Sequence, residues 1–169
     1  MIRPKTKAFL WKTMVRLAPK PWFITFMRTV MVPVDRFLLR RSHGRISMGG
    51  TTGAGTLLLT TTGRRSGRPR STPLFFMPHG EAFAVVASNF GRRAQPDWSV
   101  NLLAFPQATV TVGNQVVPVI ARPLTGAEHD AIWSLYTGAG PAYQSYLDTS
   151  GRDSFRIFAL EQKGYGTRP

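Results

Sequence analysis

The sequence predicts a mainly β domain of the α+β class: a small barrel of about six antiparallel strands with outer helices and an N-terminal helical extension. Three observations predict it. Short runs of apolar and β-branched residues recur between glycine and proline turns. Helical periodicity is confined to the N-terminal region and a few short later segments. The chain has 169 residues, which suits one domain with a proper core.

The composition is that of a globular protein without thiol chemistry. Hydrophobic residues make up 43% of the chain and charged residues 18%, a balance that favours a packed core over disorder. Cysteine is absent, which excludes disulfides, thiolate metal sites and a cysteine nucleophile and favours a cytoplasmic setting. Lys12 and Arg16 interrupt the first apolar stretch, so we expect no cleaved signal peptide.

The basic charge is concentrated in the N-terminal region. We expect residues 1–48 to form a basic amphipathic extension and residues 49–169 to form the barrel domain. Residues 1–45 contain eleven basic side chains and a single acidic one, so they hold +10 of the net charge of +14. Such a charge attracts polyanions, anionic lipid surfaces or acidic small molecules without choosing among them.

The extension should contain two helices separated by Pro19-Lys20-Pro21. An apolar stripe recurs at helical spacing in the second helix, formed by Phe23, Met27, Val30 and Val34. The stripe could pack on the barrel, or the helix could rest peripherally on an anionic membrane at the inner face of the cell. The segment falls short of the roughly 18 uninterrupted apolar residues of a spanning helix.

Three strands should follow the glycine-rich segment 49–55. They are expected at 57–62, at 72–77 and at 83–88, where apolar and β-branched residues are continuous. Pro78-His79-Gly80 should form the tight link before the third strand. The three strands therefore predict an antiparallel meander.

The second half should supply a short helix, a hairpin, a longer helix and a last strand. Pro96 and Pro106 should bound the short helix. The hairpin should turn at Gly113-Asn114, and Pro118 places its return strand at an edge or bulge. A capping box at Thr125–Glu128 should start a helix that ends near Tyr136, and 155–160 should form the last strand.

The segment between the first two strands is built for an anion. Gly63-Arg64-Arg65-Ser66-Gly67-Arg68-Pro69-Arg70 places four guanidiniums within seven positions. Glycines let a backbone approach closely, and arginine forks match phosphate or carboxylate bidentately. A solvated basic hairpin or a nucleic-acid contact would explain the same residues. The nucleic-acid interpretation is disfavoured because the loop lacks aromatic residues for base stacking and the chain lacks known motifs.

Conventional catalytic groups are scarce. His43, His79 and His129 lie far apart without ligand spacing, so we expect no metal site. Ser66 lacks the order of a nucleophile elbow, and no P-loop or dinucleotide fingerprint is present. If the protein is an enzyme, a cofactor must therefore supply the reactive chemistry.

Several motifs together resemble the deazaflavin-dependent nitroreductase family of oxidoreductases. They are LLLTTTGRRSGRPRSTPL, the VVAS of 85–88, the W-x-x-N-L-x-A-x-P of 98–106 and the P-x-Y-x-x-Y of 141–146. The resemblance covers roughly residues 50–160. It implies a split β-barrel that binds coenzyme F420, whose tail carries phosphate and glutamates, and that transfers hydride between the coenzyme ring and a substrate. FMN, used by related barrels, is the alternative coenzyme.

The resemblance also implies a set of site residues. Tyr143 and Tyr146 match tyrosines on the substrate side, where a phenol could donate a proton to a reduced acceptor. For Trp98 the sequence leaves two roles open, one in the pocket and one in core packing. The residues that would bind the coenzyme are Arg64, Arg65, Ser66 and Arg70 at the tail, Thr72 and Phe75 along the pocket, Ser88, Asn89 and Gly91 at the ring, and Trp98 beside it.

Two positions depart from the family pattern. Asn89 stands where a basic residue is common, and Gly140 stands where nitro-reducing members have a further tyrosine. The expected substrate is therefore a small hydrophobic acceptor such as a quinone or enone rather than a nitroimidazole. The other functions that the residues allow are a non-catalytic lipid or fatty-acid carrier on the same fold and a polyanion-binding module. The oligomeric state is left open.

Overall fold

The computed structural model describes residues 20–42, 55–113 and 115–162, and its centre is a closed antiparallel barrel. Around the barrel the strand order is β1-β2-β3-β6-β5-β4, and β4 pairs with β1 to close it. The strands are β1 Gly55–Thr62, β2 Pro69–His79, β3 Ala82–Val86, β4 Gln107–Val112, β5 Gln115–Pro123 and β6 Ile157–Gln162. The predicted mainly β barrel of six strands is confirmed.

The barrel interior is filled by alternate residues of its strands. Because side chains on a strand point to opposite faces in turn, Leu57 and Leu59 of β1 face inward together. Phe158 and Leu160 of β6 belong to the same buried cluster, and both are less than 2% exposed. Trp98, which does not lie on a strand, packs against this cluster, and its ring centroid is 5.9 Å from that of Phe158.

Helices cover the outside of the barrel. The N-terminal helical region runs as α1 Pro21–Phe26, a π-helical segment Met27–Met31 and α2 Val32–Arg41. The later helices are α3 Asp97–Ala104, α4 Gly126–Ala139 and α5 Ala142–Ser150. A second apolar cluster lies between α4, α5 and the outer faces of β3 and β6.

The topology gathers three connections at one rim of the barrel. Strands β1, β3 and β5 are parallel to each other, because each is separated from the next by one antiparallel neighbour. Their carboxyl ends therefore lie at the same rim. The arginine-rich loop follows β1, the segment leading to α3 follows β3, and α4 with α5 follows β5. The short hairpin connections lie at the opposite rim.

Two sequence expectations about β5 and α4 need correction. Pro118 was expected at an edge or bulge, but β5 is paired on both sides; Pro118 pairs with Thr109, and the pairing with β6 begins only at Val119. The expected capping box is wrong. Thr125 makes no side-chain cap hydrogen bond, and the Glu128 carboxylate is bound instead by Arg122 and His79 at 2.8 and 2.7 Å.

The apolar stripe expected on the N-terminal helix does not pack on the barrel along its whole length. Phe23 is buried, but Val30 and Val34 are exposed, and the residue that α2 buries completely is Leu39. The first expected helix, His43 and the expected boundary at residues 48 and 49 lie outside the described residues. Within the described ranges no helix is long and apolar enough to cross a membrane.

Candidate functional site

The arginine-rich loop is a tight turn closed by its own backbone. The Gly63 N–H donates to the Arg68 carbonyl at 2.9 Å, and the Gly67 N–H donates to the Gly63 carbonyl at 2.8 Å. Gly67 has a φ of +65°, which favours glycine. A Cβ on Gly63 would lie 2.9 Å from the Ser66 Oγ, so a side chain here would displace Ser66. The guanidiniums are therefore presented by a defined scaffold.

The buried amide of Asn101 on α3 anchors this loop. Its Oδ1 accepts the backbone N–H of Arg64 at 3.1 Å, and its Nδ2 donates to the Thr61 Oγ1 at 3.1 Å. Asp97, one turn earlier on α3, pairs with the Arg64 guanidinium at 3.0 Å. Asn101 is 3% exposed, and a buried amide that lost these partners would be costly. The loop is thus fixed to α3 through the side chains of Asn101 and Asp97.

A cleft of about 560 Å³ opens beside the loop, and we call it the arginine cleft. Five arginines and one acidic residue line it, so its walls carry a large excess of positive charge. The lining residues are Arg36, Arg40, Gly63, Arg64, Arg65, Ser66, Pro69, Arg70, Ser71, Thr72, Asp97, Trp98 and Asn101. Such a cleft suits a ligand with several negative charges.

Two of the cleft arginines come from α2, which the sequence had placed in a separate extension. Arg36 and Arg40 are four residues apart and so share one helix face. The Arg40 Nη2 donates to the Ser71 Oγ on β2 at 3.0 Å. The i, i+4 spacing of these two arginines is visible in the sequence, but the sequence prediction used the apolar stripe, which lies on another face of the helix.

The segment after β3 holds an unusual backbone. Asn89, Phe90 and Gly91 are successive residues with φ values of 49°, 54° and 75°, a conformation that costs energy in a non-glycine residue. The Asn89 Nδ2 donates to the Ala94 carbonyl at 2.7 Å. A Cβ on Gly91 would lie 3.1 Å from the Tyr146 Cα, so this loop and α5 pack closely.

Arg152 ties the same segment to the chain beyond α5. Its Nη2 donates to the carbonyls of Ala87 and Ser88 at 3.1 and 2.7 Å, and its guanidinium stacks on Phe155 at 4.1 Å from the ring centroid. Burial lowers the pKa of Arg152, and the nearby Arg156 adds to the effect. These hydrogen bonds fix the orientation of the Ala87 and Ser88 carbonyls.

Three tyrosines pack edge to face beside this loop, and with Phe90 they form what we call the tyrosine cluster. The centroid of Tyr143 is 4.7 Å from that of Tyr136 and 6.2 Å from that of Tyr146. The Tyr136 hydroxyl lies 2.9 Å from the Ala84 carbonyl and 3.0 Å from the Phe75 carbonyl. Its partners are therefore within the protein.

Burial raises the pKa values of the phenols in this cluster. It raises the pKa of Tyr146 to about 12. Burial, reinforced by Tyr146, raises the pKa of Tyr143 well above its usual range, and burial does the same to Tyr136. The three phenols are therefore neutral at physiological pH, and each can donate a hydrogen bond, which Tyr136 gives to backbone carbonyls.

The structure divides the expected site residues between these two places. Arg64, Arg65, Ser66, Arg70, Thr72 and Trp98 line the arginine cleft. Trp98 is 6% exposed and also packs in the barrel core. It therefore combines the two positions that the sequence left open, at the pocket and in the core. Ser88, Asn89, Gly91, Tyr143 and Tyr146 lie at the tyrosine cluster or beside it. Phe75 lies outside the cleft and meets the cluster through its carbonyl.

The two places adjoin at the same rim. Ala87, which precedes Ser88, and Trp98, which lines the arginine cleft, belong to one buried cluster. Sequence reasoning missed Arg36, Arg40 and the anchoring role of Asn101, although Asn101 lies within a motif it had noted. A ligand with a charged tail and a planar apolar end would suit a rim that is cationic on one side and aromatic on the other.

Comparison with known proteins gives a consistent picture. A family model described as F420H(2)-dependent quinone reductase matches residues 33–162. An F420H(2)-dependent quinone reductase of Mycobacterium tuberculosis is 33% identical over 116 residues, which cover 68% of this chain and 78% of that protein. A solved structure of an F420-H2 dependent reductase is 35% identical, with a TM-score of 0.57 over 63% of this chain and 94% of the other. A chain described as a domain-swapped dimer, also 35% identical, gives a TM-score of 0.58 over 63% of this chain and 80% of its own.

Proposed function

The chain belongs to the F420H(2)-dependent quinone reductase family, and from that premise we propose that it reduces a quinone or a similar hydrophobic acceptor at the rim described above. It is an oxidoreductase that depends on the deazaflavin coenzyme F420, which decides against FMN and against a non-catalytic carrier. The observation that carries the assignment of the site is the arginine cleft, which the motif-bearing loop forms with α3.

The residues of the cleft fit the tail of this coenzyme. Five guanidiniums and one carboxylate converge on about 560 Å³, whereas the coenzyme tail carries phosphate and glutamates. Arg64, Arg65 and Arg70 would hold the phosphate, because arginine forks bind phosphate oxygens through paired hydrogen bonds. Ser66 and Thr72 add hydroxyls at the same wall.

The aromatic side of the rim fits a proton-donating role. When bound, the reduced coenzyme supplies a hydride to the acceptor. Reduction of a quinone or enone also requires a proton, and the phenols of Tyr143 and Tyr146, which are protonated at neutral pH as phenols ordinarily are, could donate one. Because burial raises their pKa values, they would give it up only to a strongly basic group such as the reduced acceptor. Arg152 and the left-handed residues Asn89 and Gly91 fix the backbone that faces these phenols.

A coenzyme titration tests the assignment of the cleft. Charge-assisted hydrogen bonds are typically worth about 1.5–3 kcal/mol each, so Arg64→Ala with Arg65→Ala should weaken coenzyme binding at least tenfold. The measurement is the fluorescence change on adding F420 to the full-length protein. Arg122→Ala, which removes a guanidinium outside the cleft, is the control. Equal affinities of wild type and the double variant would refute the site.

We further propose that the N-terminal helical region attaches the protein to an anionic membrane surface. Its outward side carries a row of apolar residues spaced three or four apart; Trp22 is 60% exposed and Phe37 is 66% exposed. The others in the row are Phe26, Val30 and Val34. Basic residues accompany the row, and apolar burial combined with attraction to anionic lipid is the usual basis of interfacial binding.

Liposome flotation tests this attachment. Full-length protein should float with vesicles that contain anionic lipid and should float less with purely zwitterionic vesicles. Trp22→Ser with Phe37→Ser should reduce the recovery, since each buried large apolar side chain contributes about 1.5–3 kcal/mol. Leu135→Ser, which removes an exposed apolar residue on α4, is the control. Unchanged recovery of the double variant would exclude this helix as the contact.

A further inference from the structure

The inner face of α2 points two guanidiniums into the arginine cleft. Arg40 is held there by Ser71, whose Oγ also lies 3.0 Å from the Thr60 Oγ1. Arg36 differs from it. The Arg36 Nε is buried, and it has no hydrogen-bond partner among the described residues. A buried guanidinium nitrogen without a partner is costly unless a ligand completes it.

The charge of the cleft exceeds what one phosphate can neutralise. Five arginines face a single carboxylate, that of Asp97, and this carboxylate is paired with Arg64 and is 86% exposed. Four positive charges therefore lack a counterpart among the lining residues. A phosphate diester contributes one negative charge, so three guanidiniums would remain without an anion. The ligand that balances this cleft carries further negative groups.

We propose that Arg36 and Arg40 form a second anion subsite, which binds carboxylates of the glutamate chain of the coenzyme while the loop after β1 binds its phosphate. The inference rests on the proposed function. It makes α2 part of the binding site and makes the length of the glutamate chain a determinant of affinity.

The arrangement of the two subsites supports this division. The loop arginines lie on a turn fixed by its own backbone and by Asn101. Arg36 and Arg40 line the same cleft from a separate element, α2, and Arg40 bonds β2 through Ser71. Two guanidiniums four residues apart on a helix are neighbours, and arginine forks bind carboxylates as well as phosphates. An extended chain with several carboxylates would bridge both walls.

The test compares two forms of the coenzyme, one with several glutamates and one that keeps the phosphate but has none. Binding to full-length protein is followed by fluorescence. Wild type should bind the glutamylated form at least tenfold more tightly. Arg36→Gln with Arg40→Gln should abolish this preference, raising the Kd for the glutamylated form about tenfold and leaving the Kd for the other form unchanged. Arg41→Gln, on the same helix and outside the cleft, should behave as wild type.

A single-substitution variant controls for the possibility that the double variant misfolds. Arg36→Gln removes a group whose Nε makes no hydrogen bond among the described residues, so it should fold as wild type and still lose part of the preference. The subsite is refuted if the variants bind the glutamylated form as tightly as wild type, or if they lose affinity equally for both forms. If wild type binds neither form, the proposed function itself fails.

Discussion

The arginine cleft and the tyrosine cluster lie at one rim of the same barrel, yet they are built in opposite ways. The cleft is polar and open, and two of its arginines are positioned by hydrogen bonds to Asn101 and Ser71, which accept from the Arg64 backbone N–H and the Arg40 guanidinium. The tyrosine cluster is packed edge to face and largely buried, and burial rather than charge sets the pKa values of its phenols. We therefore expect the cleft to supply coenzyme affinity and the cluster to supply the proton for the chemistry.

The largest effect should come from the phenol that donates the proton. Tyr143→Phe and Tyr146→Phe, made separately, remove one hydroxyl each and keep the ring packing. The variant that loses the donor should show a kcat about a hundredfold lower, because a positioned acid typically contributes at least that factor. Its Kd for the coenzyme should stay unchanged. The measurements are steady-state kinetics with a quinone acceptor and a coenzyme titration.

Tyr136→Phe is the matched control in the same cluster. Its hydroxyl is already bonded to backbone carbonyls, so its loss should lower the free energy of unfolding by about 1 kcal/mol and leave kcat intact. If Tyr143→Phe and Tyr146→Phe resemble this control, the cluster is a packing element and the division of labour between the two regions is wrong.

An intermediate effect is expected where the cleft is anchored. Asn101→Ala leaves the Arg64 N–H and the Thr61 hydroxyl without their partner, which should cost about 1–3 kcal/mol of stability. Because the loop then loses its fixed position, coenzyme binding should weaken about tenfold with kcat less affected. Chemical denaturation and the fluorescence titration measure the two effects.

Ser99→Ala is the control that distinguishes loss of the loop's position from a general loss of stability in the Asn101→Ala experiment. Ser99 is a buried neighbour on α3 whose Oγ donates to the Pro96 carbonyl at 3.0 Å. Its loss should lower stability and leave coenzyme affinity as it was. Equal losses of affinity in both variants would mean that α3 acts through general stability rather than through the loop.

The smallest effect is expected outside both regions, on the outer surface of the barrel. Arg122, and after it His79, lower the pKa of Glu128 from 4.5 to about 2. This carboxylate therefore stabilises the fold above pH 4.5, and its contribution should disappear as the pH falls towards 2. The Tm difference between wild type and Glu128→Gln should shrink over that window. Coenzyme affinity at neutral pH should be equal in both; a difference would extend the site to this surface.

Local patterns were sufficient for the strands and for the anion loop. Apolar and β-branched runs predicted all six strands, because a strand that is buried on one face imposes its alternation on the sequence. The glycines and arginines from Gly63 to Arg70 predicted a cationic turn, since backbone freedom and guanidinium chemistry are properties of the residues themselves. The motifs around them also identified the family.

The sequence by itself thus determined the barrel and one wall of its cationic cleft, whereas the tertiary structure decided the rest of the site. Arg40 reaches Ser71 across 31 positions of the chain, and Asn101 reaches Arg64 across 37. No local pattern encodes such contacts, because they depend on how α2 and α3 dock on the barrel. For the same reason Glu128 binds His79 and Arg122 rather than the helix end that the sequence predicts. The folded chain places these partners beside the carboxylate, and charge-assisted hydrogen bonds are stronger than those to the backbone N–H groups of a helix end.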